Sequence, residues 1–167
     1  MLDILNKLKI FFEDNYIEVG IREYSRIIKL SPPTASNLLK LFEKENLLKK
    51  REDKGYLLFR ANRENWTLKE LSRIYWKIKL TNLVDYLNKE LNYQTIILFG
   101  SLSKLETKKD SDIDIAIISK IKKEIDLKKF NKELNREIHL FQYNSLDKIN
   151  PELRKNILNG CLIQGEF

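Results

Sequence analysis

The strongest constraint on this chain lies between residues 95 and 118. A short apolar run, Thr95 to Phe99 (TIILF), ends in Gly100-Ser101, and ten residues later Asp112-Ile113-Asp114 leads into a second run, Ile113 to Ile118 (IDIAII). Short apolar runs bounded by turn residues predict buried strands. The glycine and serine then sit where one strand ends, and the aspartates where the next begins. Strand alternation puts Asp112 and Asp114 on one face, about 7 Å apart along the strand. Two carboxylates so placed repel each other unless a cation lies between or above them. A divalent cation carrying a phosphate satisfies that arrangement.

The segment FGSLSKLETKKDSDIDIAII resembles the Gly-Ser, ten residues, Asp-x-Asp signature of the minimal nucleotidyltransferases, in the polymerase-beta-like superfamily. The resemblance covers roughly the last half of the chain. It implies that Gly100 and Ser101 contact the triphosphate of an NTP and that Asp112 and Asp114 bind Mg²⁺. Lys104 would add a positive charge beside the phosphates. Active relatives place a third carboxylate on the neighbouring strand, where it helps to deprotonate the acceptor hydroxyl. The corresponding stretch here is Arg136-Glu137-Ile138-His139-Leu140. Glu137 and His139 share a strand parity, so either can face the aspartates. With Glu137 in that place the catalytic set is Asp112, Asp114 and Glu137; with His139 there, a base remains and a metal ligand is lost. Many relatives also carry a small residue, a basic residue and a glycine after the serine. Ser103, Lys104 and Leu105 stand here, with leucine replacing the glycine.

Composition narrows the remaining choices. The 167 residues hold one ordinary domain or two small ones, and 43% hydrophobic with 33% charged residues describes a globular protein. No apolar run is long enough to span a bilayer, and the N-terminus (MLDILNKLKIFFEDN) carries acids and lacks a small-residue cleavage site, which predicts a cytoplasmic protein. The single cysteine, Cys161, fits a reducing compartment. One histidine and one cysteine make no His/Cys metal cluster, so oxygen ligands are expected to dominate. The net charge of +7 suits a polyanionic partner.

The first third predicts three helices and a hairpin. Leu2, Leu5, Leu8, Phe11 and Phe12 recur at helical spacing. Ile21 to Lys29 predicts a second helix, with Ile21, Tyr24, Ile27 and Ile28 inward. Ser31-Pro32-Pro33 is a start signal for a third, Pro33 to Glu45, burying Ala35, Leu38, Leu39 and Phe42. Leu47 to Arg51 and Tyr56 to Arg60 flank the turn Asp53-Lys54-Gly55. This order resembles the winged helix-turn-helix fold, in which the third helix enters the major groove and the wing touches the backbone. The resemblance implies DNA contacts from Thr34, Ser36, Asn37 and Lys40 on the helix. From the wing it implies Lys49, Lys50, Arg51, Lys54 and Arg60.

A continuous helix is expected from residue 66 or 67 to 91, linking the two parts, with Trp66 and Trp76 in core or interdomain packing rather than stacking on bases. Then come the two strands, a helix from Ile125 to Asn135, a third strand from Glu137 to Tyr143, and a helix from Pro151 to Leu158 ended by Asn159-Gly160. Leu162-Ile163 is expected as a short apolar anchor. The expected fold class is α+β. A winged helix-turn-helix over residues 1–65 precedes a small mixed-sheet nucleotidyltransferase-like domain over 66–167, its helices on one face of the sheet. The expected protein binds DNA and Mg²⁺-NTP and transfers a nucleotidyl group to a protein or small-molecule hydroxyl, as a possible homodimer. The rival is a transcription regulator whose degenerate domain senses nucleotide or dimerises; an antitoxin-like module that modifies a partner protein is a third reading.

Overall fold

The computed structural model describes residues 2–92 and 94–166; the side chain of Leu2 lies outside the described set. The fold is α+β. Among the described residues it holds eight α-helices, a three-stranded antiparallel sheet and a four-stranded mixed sheet. The chain divides into two units, Met1–Ser72 with Leu105–Lys109, and Arg73–Lys104 with Asp110–Phe167. No helix among the described residues is long and apolar enough to cross a membrane.

The first unit runs α1 (Leu2–Glu13), β1 (Val19–Gly20), α2 (Ile21–Ile28), α3 (Pro32–Lys44), β2 (Leu48–Asp53) and β3 (Tyr56–Ala61). Its apolar spacing does what the sequence predicts in α1: Leu5, Leu8, Phe11 and Phe12 are buried. Tyr24 packs its ring 6.0 Å from that of Phe11 and donates its hydroxyl to the Lys7 carbonyl at 2.8 Å. Burial pushes the Tyr24 hydroxyl well above its ordinary pKa. Helix α2 stops at Ile28 because Lys29 turns left-handed (φ 55°) and closes the last turn. Ile27 is exposed rather than inward. Ser31 caps α3, its hydroxyl accepting from the Thr34 amide at 3.4 Å, and both prolines lie in the first turn. The helix buries Ala35, Leu39 and Phe42.

The hairpin turns on Lys54 and Gly55, both at positive φ, so Asp53 pairs with Tyr56. Such a two-residue turn matches the right-handed twist of its strands. Strand β1, too short for a periodicity signal, pairs with β3 and gives the order β1-β3-β2. Residues 105–109 are held in this unit by Asn15. Its amide donates to the Thr107 carbonyl at 2.8 Å, and its Oδ1 accepts from the Thr107 amide at 2.6 Å.

The second unit holds the rest: α4 (Trp66–Lys79, in the first unit through Ser72), α5 (Thr81–Leu91), β4 (Thr95–Phe99), α6 (Ser101–Lys104), β5 (Ile113–Ile118), α7 (Lys128–Leu134), β6 (Ile138–Tyr143), a 3-10 turn (Leu146–Lys148), α8 (Pro151–Leu158) and β7 (Cys161–Gln164). The long linking helix is two helices. They part at Leu80, where the Thr81 hydroxyl donates to the carbonyls of Ile78 (2.9 Å) and Lys77 (3.4 Å). Such back-bonding competes with the helical ladder. Trp76 is buried as expected, but Trp66 is 75% exposed. Residues 125–127 lie outside α7. Further back, the main chain of Lys123 is occupied by the side-chain amide of Gln142 on β6, at 3.2 and 2.8 Å.

The sheet order is β6-β5-β4-β7, with β5–β6 parallel and the other pairs antiparallel. The expected Leu162-Ile163 anchor is a full edge strand against β4, Leu162 opposite Ile97. Apolar side chains cover both faces, not one. Ile96, Leu98, Ile113, Ile115 and Ile117 pack with Leu83, Leu87, Phe130 and Leu134 of α5 and α7. Ile97, Phe99 and Ala116 pack on the other side with Ile149 and with Ile157 of α8. Strands covered on both sides need continuous apolar runs, which is what β4 and β5 carry.

Candidate metal and nucleotide site

Asp114 is the exception in the apolar run of β5, and its place follows from strand parity. Ile113, Ile115 and Ile117 face α5 and α7, so Asp114 shares the other face with Ala116. At the strand's entrance Asp112 has the same parity. Arg136 steadies this entrance, its guanidinium donating to the Ser111 carbonyl at 2.5 Å. Nothing in the sequence marks Arg136 for that task.

The antiparallel register pairs Phe99 with Asp114, so the residue after Phe99 arrives beside the carboxylate. Gly100 takes φ +70° there. A Cβ on Gly100 would fall on Asp114 Oδ2 and lie 3.1 Å from its Cγ. The Gly-Ser turn therefore presses backbone against an aspartate, which is a close approach only glycine permits. Ser103, buried, donates its hydroxyl to the Gly100 carbonyl at 2.9 Å and holds the turn closed. Ser101 opens α6, and Lys104 ends it with its ammonium 3.2 Å from Asn156 Oδ1 on α8.

Leu105, standing where relatives carry glycine, adopts a glycine-like backbone (φ 63°) and is fully buried. A left-handed leucine costs about 1–2 kcal/mol. Burying its side chain returns about 1.5–3 kcal/mol, enough to keep leucine in that conformation.

The parallel register of β5 and β6 places His139 directly beside Asp114. The imidazole Nδ1 is 3.5 Å from Asp114 Oδ1 and 4.0 Å from Asp112 Oδ2, while Nε2 is 3.7 Å from Glu137 Oε1. Glu137 lies two residues earlier, its carbonyl accepting from the Ile113 amide at 2.8 Å. One ligand atom from each of Asp112, Glu137 and His139 falls within a 4.8 Å cluster. Of the two residues sharing parity, His139 sits inside the arrangement and Glu137 at its exposed rim.

Burial raises the Asp114 pKa; nearby His139 opposes that rise and the Asp112 charge adds to it. A half-buried carboxylate with a like charge nearby is short of positive charge. A divalent ion supplies it, and two carboxylates plus phosphate oxygens make an ordinary Mg²⁺ environment. The donor set therefore fits a divalent ion.

The family profile described as "Polymerase beta, Nucleotidyltransferase" matches residues 81–166. This chain belongs to that family. Comparison with curated proteins returned no match. In the nucleotidyltransferase domain, α5 opens the matched region and β7 closes it, so the match spans the mixed sheet and the Gly-Ser and Asp-x-Asp elements. A nucleotide is the substrate that membership implies.

Proposed function

We propose that this protein binds a divalent-metal NTP in its nucleotidyltransferase domain and transfers a nucleotidyl group to a protein or small-molecule hydroxyl. The observation carrying this reading is the close approach of Gly100 to Asp114, with Asp112 on the same strand face. When bound, Mg²⁺ supplies charge neutralisation to the phosphates and polarises the reacting oxygens. Asp112 and Asp114 hold it. Gly100 lets the phosphates approach main-chain N–H groups, and Ser101 adds its hydroxyl. Lys104 reaches the phosphates only by leaving Asn156.

Isothermal titration tests this reading, with ATP and GTP, with and without Mg²⁺. Binding in the micromolar to millimolar range is expected in the presence of the metal, and none in an Asp112→Ala, Asp114→Ala double variant. Equal binding by both proteins would remove the aspartates from the site. A second reading, a regulator whose domain senses nucleotide without turnover, is favoured by one observation. The neighbour of Asp114 across the sheet is His139 and not a carboxylate.

The first unit is proposed as a winged helix-turn-helix that binds DNA. Its helix-strand-helix-helix-strand-strand order supports this, as do the exposed Thr34, Asn37 and Lys40 on α3; Ser36 is half-buried. The wing cations are engaged with acids: Lys49 with Glu64 (2.5 Å), Lys50 with Glu43 (3.4 Å), Arg51 with Glu18 (2.5 Å), and Arg60 with Glu18 (3.9 Å). Hydrogen bonds from Arg51 hold the Glu18 carboxyl below its ordinary pKa. Exposed pairs of this kind contribute little to stability, so exchanging them for phosphate costs little. Lys54 stands at the wing tip. Binding to mixed-sequence duplex DNA should weaken steeply with salt, with a log–log slope of about −0.9 for each phosphate neutralised. A slope near zero would leave the basic wing without a nucleic-acid role.

A further inference from the structure

The histidine beside the aspartates has a geometry of its own to explain. His139 Nδ1 faces Asp114 Oδ1 at 3.5 Å and Asp112 Oδ2 at 4.0 Å. Two atoms ligating one ion at about 2.0–2.2 Å stand no more than about 4.4 Å apart, so Nδ1 can share an ion with either carboxylate, and Asp112 is the one that also falls in the close group with His139 and Glu137. The other ring nitrogen faces the Glu137 carboxylate at 3.7 Å. A ligating histidine commonly turns its second nitrogen to a carboxylate, which accepts the ring proton and leaves the first lone pair for the metal. The ring is also part of the sheet rather than a loose side chain, because residue 139 is hydrogen-bonded in register against residue 114.

We propose that His139 is a metal ligand through Nδ1, sharing an ion with Asp112, with Glu137 on the other ring nitrogen. That nitrogen makes the site prefer a first-row transition ion to Mg²⁺. The inference rests on the proposed nucleotide site and names its metal. Magnesium is a hard ion that takes oxygen ligands and keeps its waters, whereas imidazole binds first-row transition ions. Replacing a carboxylate position with imidazole thus changes which ion is held, rather than emptying the site.

Mn²⁺ serves as the probe, because its spin reports both affinity and the identity of its ligands. The wild-type protein should bind Mn²⁺ and retain it against a roughly tenfold excess of Mg²⁺. Its electron spin echo should carry ¹⁴N modulation from one directly bound imidazole. His139→Ala should lose that modulation and weaken Mn²⁺ binding at least about tenfold. His139→Asp should also lose it, and its preference for Mn²⁺ over Mg²⁺ should fall below that of the wild-type protein. Circular dichroism checks that both variants fold, and the wild-type spectrum stands alone if they do not. Asp112→Asn separates the layers of the argument. If it abolishes Mn²⁺ binding while the wild-type spectrum lacks ¹⁴N modulation, the metal site stands and His139 is not its ligand. If Asp112→Asn binds Mn²⁺ as the wild type does, the site itself is misplaced and this inference falls with it.

Discussion

Gly100→Ala is expected to fold and to lose metal-nucleotide affinity by at least about 100-fold, or about 2.7 kcal/mol. The added methyl lands on Asp114 Oδ2. Of the two groups in conflict, the carboxylate is the one able to move, since it is the end of a side chain while Gly100 is anchored by β4. Asp114 must therefore rotate away from His139 and from any shared ion. The left-handed backbone of residue 100 adds about 1–2 kcal/mol of strain for an alanine. The fold survives because Asp114 is only half-buried and the apolar packing of β4 and β5 does not use it. The measurement is titration with Mg²⁺-ATP beside a thermal melt. Wild-type affinity in a folded variant would show that the turn does not govern the aspartate.

Gly160→Ala is the opposite case, an effect on stability with no site nearby to blame. A Cβ there would stand 2.5 Å from the Leu98 carbonyl oxygen, 2.8 Å from that of Ile157 and 3.0 Å from Ile97 Cγ2. Two of these are backbone atoms, one in the central strand β4 and one in α8, so neither gives way cheaply. Overpacking of this kind costs about 1–3 kcal/mol, and rigid neighbours put this site at the upper end. For a unit of this size that is a fall in Tm of roughly 10 °C or more. The edge strand β7 starts at the next residue and loses its register with β4 if the turn opens. Scanning calorimetry of the full chain reads the effect. A shift under about 2 °C would mean the α8–β7 turn relaxes without cost.

These two glycines also mark how far the residues could be read without a structure. The sequence places Gly100 at a strand end before Ser101, and that is where it lies. Asp114 stands near the start of its strand, in register with Phe99 and His139, and Asp112 just before it. Local patterns of this kind are legible because they depend on alternation and turn chemistry, which act over a few residues. Gly160 carried only a helix-ending signal. Its approach to Leu98 joins residues 62 positions apart and has no local signature.

Other features failed to show for similar reasons. Strand β1 has two residues and β7 four, too few for a periodicity to rise above background. The break at Leu80 coincides with a single hydroxyl turning back to its carbonyls. Residues 125–127 have helical composition but stand outside α7. Ile27 sits at a position the apolar spacing assigns to a core, and Trp66 is expected in core or interdomain packing, yet the described structure leaves both exposed.

The chain's own residues determined the α+β class, the order of most helices and strands, the Gly-Ser turn and the Asp-x-Asp pair. They also determined that the third position offers only Glu137 or His139 on the right parity. Which of those two stands beside Asp114 was decided by the parallel register of β5 and β6. Register between strands joined by a nineteen-residue excursion follows from how both sheet faces fill, Ile113 and Ile138 in one core and Ala116 with Phe141 in the other. That is a property of the packed sheet, and it puts an imidazole between three carboxylates.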